Sequence, residues 1–379
     1  MPAALKRLCD FTLHDLETVR LVLRGGSVID WHRLNLAGDE QVAAFIRNHE
    51  LDPTDDGDRR YMSGIQEQAV AYLRRNFTFS IPKPVERATP EQLLLLASGS
   101  GHRQQCACTI LKVMQIINHT TGRELLFRLP VSDEDLFHLV EEKVYRVVGS
   151  MLNGGFPITE FVGGRKNRDS THTKLLSKPE ASTIAIYDKL RFRIVTRSRE
   201  DLLPILLYMT EQLFPFNYIV PGQSTNTIFH FRTYCQEHGA LTQYLDQFQG
   251  RLEDDFTRID NRFSDPGYHT IQFVTEVPVR VPRHLREQAP SGSEHLGPTV
   301  YMLCEIQLMD TQTEEANERG AANHDAYKQR QRQAVYRRLR LGARDPVDPK
   351  SRETPSSPAP ASVPEHPRPP APPGAERSD

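Results

Sequence analysis

The chain has 379 residues, of which 38% are hydrophobic and 25% charged, which suits one large hydrophobic core or two ordinary ones. Its formal net charge of -2 gives no large nonspecific attraction to nucleic acid, and no apolar run approaches the roughly 18 residues that cross a bilayer. Five cysteines without paired spacing indicate neither a disulfide framework nor a zinc site. We therefore expect a globular protein of the cytoplasm without a membrane partner.

The first hundred residues carry the signals of helices. In TLHDLETVRLVLRGG, Thr12 is an N-cap residue type, apolar residues recur at helical spacing, and Gly25 and Gly26 end the pattern. In SIPKPVERATPEQLLLLASGSG, prolines and small residues indicate a connection, a short helix and another loop. We assign residues 1–105 to a helical N-terminal region.

From about residue 180 the hydrophobic period changes to that of strands. STIAIYDKLRFRIVT alternates as a long strand, and SREDLLPILLYMTEQLF follows as a helix that begins near Ser198 or Asp201. NYIVP, YHTIQFVTEVPVRV and TVYMLCEIQLMD are further strand candidates. This uneven alternation favours an α+β fold, in which helices flank a mixed sheet, and we assign it to residues 106–342.

The end of the chain differs in composition from the rest. Residues 343–379 are crowded with Pro, Ser, Glu and Arg, so we expect a disordered tail. Just before it, AYKQRQRQAVYRRLRLGAR predicts a basic helix, which is either a solvated surface or a contact for phosphate or RNA.

Two acids fall within predicted strands. Asp188 lies in the first long strand and Glu305 in the last one. Carboxylates in central strands are costly unless a ligand or partner compensates them. Two of them on neighbouring strands would suit magnesium, which binds one or two carboxylates together with phosphate oxygens. The alternative is structural: both acids lie on outward faces of edge strands and pair with Arg191 or Arg193.

A basic segment ahead of the first predicted strand would suit phosphates. GGRKNRDSTHTKLL begins with Gly163 and Gly164, at which the backbone can come close to a ligand. Its cations are Arg165, Lys166, Arg168 and Lys174.

Taken in order, these segments resemble the synthetase domain of the RelA/SpoT alarmone synthetases, which transfer pyrophosphate from ATP to the ribose 3′-hydroxyl of GDP or GTP. The family's Gly-Arg, Lys, Ser and Lys segment is matched by Arg165, Lys166, Ser170 and Lys174. Its strand with Asp followed by Arg is matched by Asp188 and Arg193, or Arg191 in place of Arg193.

The final motif is the most similar one. The family has Glu-Ile/Val-Gln on a strand and then a helix with Ala-Ala-His and Tyr-Lys. The segment CEIQLMDTQTEEANERGAANHDAYKQRQ matches it through Glu305, Gln307 and His324, although Asn323 interrupts the Ala-Ala-His run.

The acceptor side departs from the family. In PGYHTIQF, Tyr268 matches a tyrosine that stacks on the acceptor base, but Gln272 stands where the family has histidine. About thirty residues, near 227–260, also lengthen a path that is short in the family.

The resemblance implies a role for each matched residue. The donor triphosphate would contact Arg165, Lys166, Ser170, Lys174, Arg193 and His324. Asp188 would bind Mg²⁺, and Glu305 would either share that ion or accept the proton of the acceptor hydroxyl. Gln307 would orient Glu305 from the same face of the strand. Tyr268 would stack on the base.

Three other functions stay open at this stage. The fold could bind nucleotides as a noncatalytic sensor, because Gln272 and the insertion alter the acceptor side. The acceptor could be the end of a transfer RNA, which the basic helix would suit. The chain could also be an interaction protein without nucleotide chemistry.

Overall fold

A computed structural model of the chain describes residues 4–31, 33–177, 189–248, 265–319 and 323–339. The chain up to Val335 forms one compact unit, and a second unit begins at Tyr336. The tail predicted over 343–379 lies outside the described residues, as does Asp188. Among the described helices, none combines the length and the apolarity that crossing a bilayer requires.

In the described residues, helices precede the first strand, as predicted for the N-terminal region. They are α1 (Leu13–Arg24), α2 (Asp39–Asn48), α3 (Asp56–Phe77), α4 (Lys83–Glu86), α5 (Pro90–Ala97), α6 (Gly101–Arg128) and α7 (Asp133–Asn153), after a 3₁₀ turn at Leu8–Asp10. The predicted start and end of α1 are confirmed. Thr12 and Asp15 form a capping box, and Gly25 ends the helix with φ at 67°. Since α6 runs through the boundary placed between 105 and 106, that boundary stays a prediction.

The sheet is mixed, as predicted. Its strands are β1 (Ile158–Arg165), β2 (Leu190–Thr196), β3 (Thr225–Asn226), β4 (Ile271–Arg280) and β5 (Thr299–Asp310). Their order is β1-β2-β5-β4-β3, in which β2 and β5 are parallel and the other neighbouring pairs are antiparallel. The parallel pair brings two strands a hundred residues apart into register.

Further helices follow or separate the strands. They are α8 (Arg168–Ser177), α9 (Leu202–Gln212), α10 (Phe231–Glu237), α11 (Gly239–Thr242), α12 (Arg283–Arg286), α13 (Thr311–Glu318) and α14 (His324–Arg338). The 3₁₀ turns are Arg199–Asp201, Leu245–Phe248 and Glu294–Leu296. The segment NYIVP does not form a regular strand. It pairs with β4 through an antiparallel bridge between Ile219 and Thr275, and the chain then turns at Gly222, where φ is 71°.

The two faces of the sheet differ in polarity. On one face, Phe192, Phe273 and Ile306 are each 0% exposed and belong to a hydrophobic core that includes residues of α1, α7 and α9. On the opposite face, strand alternation places Glu305 and Gln307 of β5. The core therefore fixes the register that brings these polar side chains together.

Helix α6 covers part of the polar face. Gly122 makes room for this approach, because a Cβ there would lie 2.4 Å from the ring of Tyr301. Asn118 Nδ2 donates to the Tyr301 hydroxyl at 2.6 Å, and Arg123 pairs with Glu276 of β4 at 3.1 Å. The helix thus closes the half of the face around Tyr301 and Glu276, and a cavity lies over the half around Glu305.

Candidate active site

The floor of this cavity consists of two rows of side chains across the sheet. In the first row, Arg191 of β2, Glu305 of β5 and Val274 of β4 lie in register. The second row contains Arg193, Gln307 and Gln272, followed by Thr225 at the edge. A cavity of about 950 Å³ stands over both rows. Such a volume is in the range of small-molecule sites.

Glu305 is the buried acid of this floor. It is 7% exposed on β5, between β2 and β4, so the alternative that placed it on an edge strand is wrong. Gln307 Nε2 donates to Oε1 of Glu305 at 3.0 Å and is 3.2 Å from Oε1 of Gln272. Arg193 Nε is 3.5 Å from Oε1 of Gln307. The carboxylate is therefore held within an amide network.

The predicted phosphate segment forms one wall. Arg165 ends β1, and α8 carries Ser170 and Lys174. Both of these and Lys166 line the cavity. Arg165 also lines it, while donating two hydrogen bonds to Glu141, of 2.9 and 2.8 Å. This pairing, together with nearby acids, raises the pKa of Arg165. Glu141 of α7 thereby fixes the orientation of the Arg165 guanidinium.

The two glycines of this wall serve different purposes. Gly163 is the register partner of Phe192, and a Cβ on it would lie 2.8 Å from that ring. It therefore admits the ring on the apolar side. Gly164 pairs with Arg191 on the polar side, where a Cβ would meet no described atom within 4 Å. Both glycines line the cavity, and the close approach to a ligand that the sequence suggested for them stays a prediction.

Tyr268 lies on the opposite side of the cavity, in the turn before β4. Burial raises the pKa of its phenol, Arg193 and Arg191 oppose that effect, and Glu305 adds to it. The ring is consequently neutral at pH 7. Asn317 of α13 fixes the next residue, because its side chain accepts from His269 N at 2.8 Å and donates to His269 O at 2.7 Å.

Most of the predicted site residues meet in this one cavity. Those that line it are Arg165, Lys166, Ser170, Lys174, Arg193, Tyr268, Glu305 and Gln307. Asp188 is outside the described residues, and of His324 only the backbone, at the start of α14, is described. The roles assigned to these residues stay predictions.

Some lining residues were not predicted as site residues. Gln223, Thr225 and Thr227 border the cavity near Tyr268, and α14 contributes Lys328 and Arg332. The basic composition of α14 was a signal for the latter two. For Gln223, Thr225 and Thr227 there was none, because they lie on or beside the two-residue strand β3, which is too short to show a period.

The donor set limits the kind of metal that would fit. In the described part of the chain, no group of three or more His, Cys, Asp or Glu is arranged around a metal position. Glu305 offers one carboxylate over the open cavity. Magnesium usually takes one or two carboxylates and completes its shell with waters and substrate phosphates. The residues present therefore fit a magnesium ion that binds together with a phosphate ligand.

Comparisons with known proteins return structural likenesses alone. No protein-family model and no curated protein matches the chain. Among solved structures, small alarmone synthetase 2 from Bacillus subtilis is 16% identical, with a TM-score of 0.29, over 58% of this chain and 94% of that one. Small alarmone synthetase 1 from Bacillus subtilis, bound to its product pppGpp, is 16% identical, with a TM-score of 0.28, over 55% and 85%.

A third likeness is to a GTP pyrophosphokinase family protein from Streptococcus pneumoniae. It is 12% identical, with a TM-score of 0.28, over 54% of this chain and 84% of that one. These proteins are of the kind that the sequence motifs resemble.

Proposed function

We propose that this chain is a magnesium-dependent nucleotide pyrophosphokinase of the cytoplasm, which transfers pyrophosphate from ATP to the ribose 3′-hydroxyl of GDP or GTP. The observation that carries the proposal is the placement of a buried carboxylate, Glu305, at the floor of a cavity between a cationic wall and a tyrosine. A pyrophosphate transfer needs those three elements: charge for the phosphates, a proton acceptor, and a surface for the acceptor base.

The cationic wall would bind the donor. Lys166 and Lys174 would lie along the triphosphate, and Arg165 would present a guanidinium already held by Glu141. Phosphoryl transfer is catalysed mainly by positioning and by stabilising charge on the phosphate oxygens. A preorganised guanidinium is effective here because little reorganisation accompanies the reaction.

The chemical step involves one bond formed and one broken. The acceptor 3′-oxygen would attack the β phosphorus of ATP, the bond from that phosphorus to the α–β bridging oxygen would break, and AMP would leave. The hydroxyl proton would pass to Glu305, which the Gln307 amide holds in place through Oε1. Magnesium, bound with the phosphates, would neutralise the charge that develops on them.

The acceptor would lie beside Tyr268. Its neutral ring offers a stacking surface for a base, and the polar edge of Gln223, Thr225 and Thr227 borders the same part of the cavity. The guanine nucleotide is the acceptor that the motif resemblance implies.

Gln272 favours a second candidate, a nucleotide sensor without turnover. Its amide lies 3.2 Å from Gln307, in the position where the resembling family has histidine, and glutamine does not transfer protons.

The two candidate functions are distinguished by measuring binding and turnover on one preparation of the protein. Calorimetry with ATP, GDP and GTP reports binding. Chromatography of reactions with and without Mg²⁺, offering GDP, GTP, GMP, adenine nucleotides or transfer RNA as acceptor, reports turnover. Binding without any product would leave the sensor.

A further inference from the structure

A second cavity, of about 860 Å³, lies between α3 and the segment that connects β4 to β5. Its residues from the sheet side begin with Arg280, at the end of β4. Arg280 is six residues along β4 from Val274, the register partner of Glu305. At about 3.3 Å per residue, the two positions are about 20 Å apart. The cavity is therefore separate from the candidate active site.

The acids that line this cavity are all engaged within the protein. Asp55 Oδ1 accepts from Asp58 N at 2.9 Å at the start of α3. Asp58 accepts from Arg280 at 2.7 and 3.1 Å, and Glu294 accepts from Gly292 N at 3.2 Å. Each of these carboxylates thus accepts a hydrogen bond from a donor of the protein.

The four lining arginines are only partly neutralised. Arg280 pairs with Asp58, and Arg283 pairs with Glu287 at 2.8 Å. Within the described ranges, neither Arg60 nor Arg286 has a carboxylate within ion-pair distance, and Nε of Arg286 is buried without a hydrogen-bond partner. Burial, and next the charge of Arg280, lower the pKa of Arg286. An anion in the cavity would accept a hydrogen bond from Arg286 and offset the repulsion between Arg286 and Arg280.

Gly64 leaves space on the other wall. It lies in the interior of α3, where glycine costs about 1 kcal/mol relative to alanine. Close packing does not explain it, because a Cβ there would meet no described atom within 4 Å. Tyr61 and Ile65 also line this wall, and their side chains would suit contact with the apolar part of an organic ligand.

We propose that this cavity is a second binding site, which takes a small organic phosphate of nucleotide size, with its phosphate against Arg286 and Arg60. A guanidinium forms paired hydrogen bonds with phosphate oxygens, and the apolar part of the wall distinguishes an organic phosphate from the free anion. Because the lining residues come from distant parts of the chain, which only the folded state brings together, the bound ligand raises the thermal stability of the chain.

Calorimetry with the full chain tests the site, with ATP, GTP, inorganic pyrophosphate, inorganic phosphate and citrate as separate probes. ATP is expected to bind at two sites in the wild type. Arg286→Gln is expected to weaken one of them by about tenfold or more, the loss of a charge-assisted contact, and Lys174→Gln the other one.

Leucine at position 64 provides a test that keeps every charge. Gly64→Leu should fill the cavity and abolish the same site as Arg286→Gln, while raising Tm through helix propensity. Gly149→Leu is the matched control, because Gly149 is also inside a helix, α7, with no described atom within 4 Å of its Cβ position, and lies away from the cavity. It should raise Tm without changing binding.

Three results would overturn the proposal. One is a single nucleotide site in the wild type that Arg286→Gln and Gly64→Leu leave unchanged. Another is equal affinity for citrate, which would assign the cavity to anions in general. The third is equal affinity for inorganic phosphate, which would show that the organic part of the ligand contributes nothing to binding. Since none of these measurements uses turnover, the site stands or falls independently of the proposed transferase activity.

Discussion

Gln307 donates its side-chain amide to Glu305, two residues earlier on β5, across 3.0 Å between Nε2 and Oε1. Both side chains lie on one face of the strand, and they are 5% and 7% exposed. A buried carboxylate is costly without hydrogen-bond donors, and the Gln307 amide supplies one to Glu305. The same amide reaches Gln272 on β4, which joins two central strands at the floor of the cavity.

Removing the charge of Glu305 should stop turnover and leave binding intact. We expect Glu305→Gln to lower the transfer rate by about a hundredfold or more, the usual worth of a positioned general base. Steady-state kinetics and calorimetry with ATP measure the two effects. Glu318→Gln is the control, because Glu318 lines the same cavity but is exposed. A rate for Glu305→Gln within tenfold of the wild type would remove Glu305 from the mechanism.

The two glycines of the phosphate wall should respond oppositely to alanine. Gly163→Ala places a Cβ 2.8 Å from Phe192, so we expect the free energy of unfolding to fall by about 1 to 3 kcal/mol. Gly164→Ala meets no described neighbour and should keep the stability, but it should weaken ATP binding. Urea unfolding and calorimetry of both variants check this. Equal stability losses in the two variants would contradict the assigned strand faces.

Tyr268 should act through its ring. Burial raises the pKa of its phenol, so the hydroxyl stays protonated at neutral pH. Tyr268→Ala should weaken GDP or GTP binding by about 1 to 3 kcal/mol, the worth of one stacked base, and should leave ATP binding nearly unchanged. Tyr268→Phe should bind as the wild type does. If phenylalanine loses as much affinity as alanine, the hydroxyl rather than stacking is responsible.

His49 should make the chain less stable in acid. Burial lowers its pKa to about 4 from 6.5, against the hydrogen bond to Phe45 O at 2.8 Å. Between those values the unfolded chain takes up a proton that the folded chain refuses. The free energy of unfolding therefore falls as the pH decreases from 6.5 to about 4, by up to about 1.4 kcal/mol per pH unit.

Urea titrations at several pH values measure this slope. His49→Gln should reduce it, and His138→Gln, at an exposed position, should retain it. Wild type and His49→Gln with parallel stability curves would show that His49 titrates normally in the folded chain.

The sequence predicted local features, such as helix starts and strand faces, better than it predicted which strands are neighbours. The period of two in β5 placed Glu305 and Gln307 on one face. Of the two predicted starts for the segment after β2, Ser198 caps the 3₁₀ turn and Asp201 is the N-cap residue of α9. Strand neighbours depend on contacts between distant segments, which periodicity does not encode. Thus the register of Arg191 with Glu305, and the engagement of Arg165 by Glu141, emerged only from the fold.

The phosphate wall shows the same division. The run of cations after Gly164 was visible as a spacing of residue types. The strand that ends at the first of these cations, β1, was not predicted, because its two glycines weaken a strand pattern. The role of Gly163 could not be predicted either, because it depends on contact with Phe192, a residue of another strand.

The most direct test of the account follows the position of the label in ATP. The protein is incubated with Mg²⁺, GDP or GTP, and ATP labelled at the β phosphorus, and the nucleotides are separated. We predict that the label moves to the 3′ position of the guanine nucleotide with an equal amount of AMP formed, and that Glu305→Gln forms both products at a rate lower by about a hundredfold or more. Label that stays in ADP or ATP, with no AMP formed, would contradict a pyrophosphate transfer at this site.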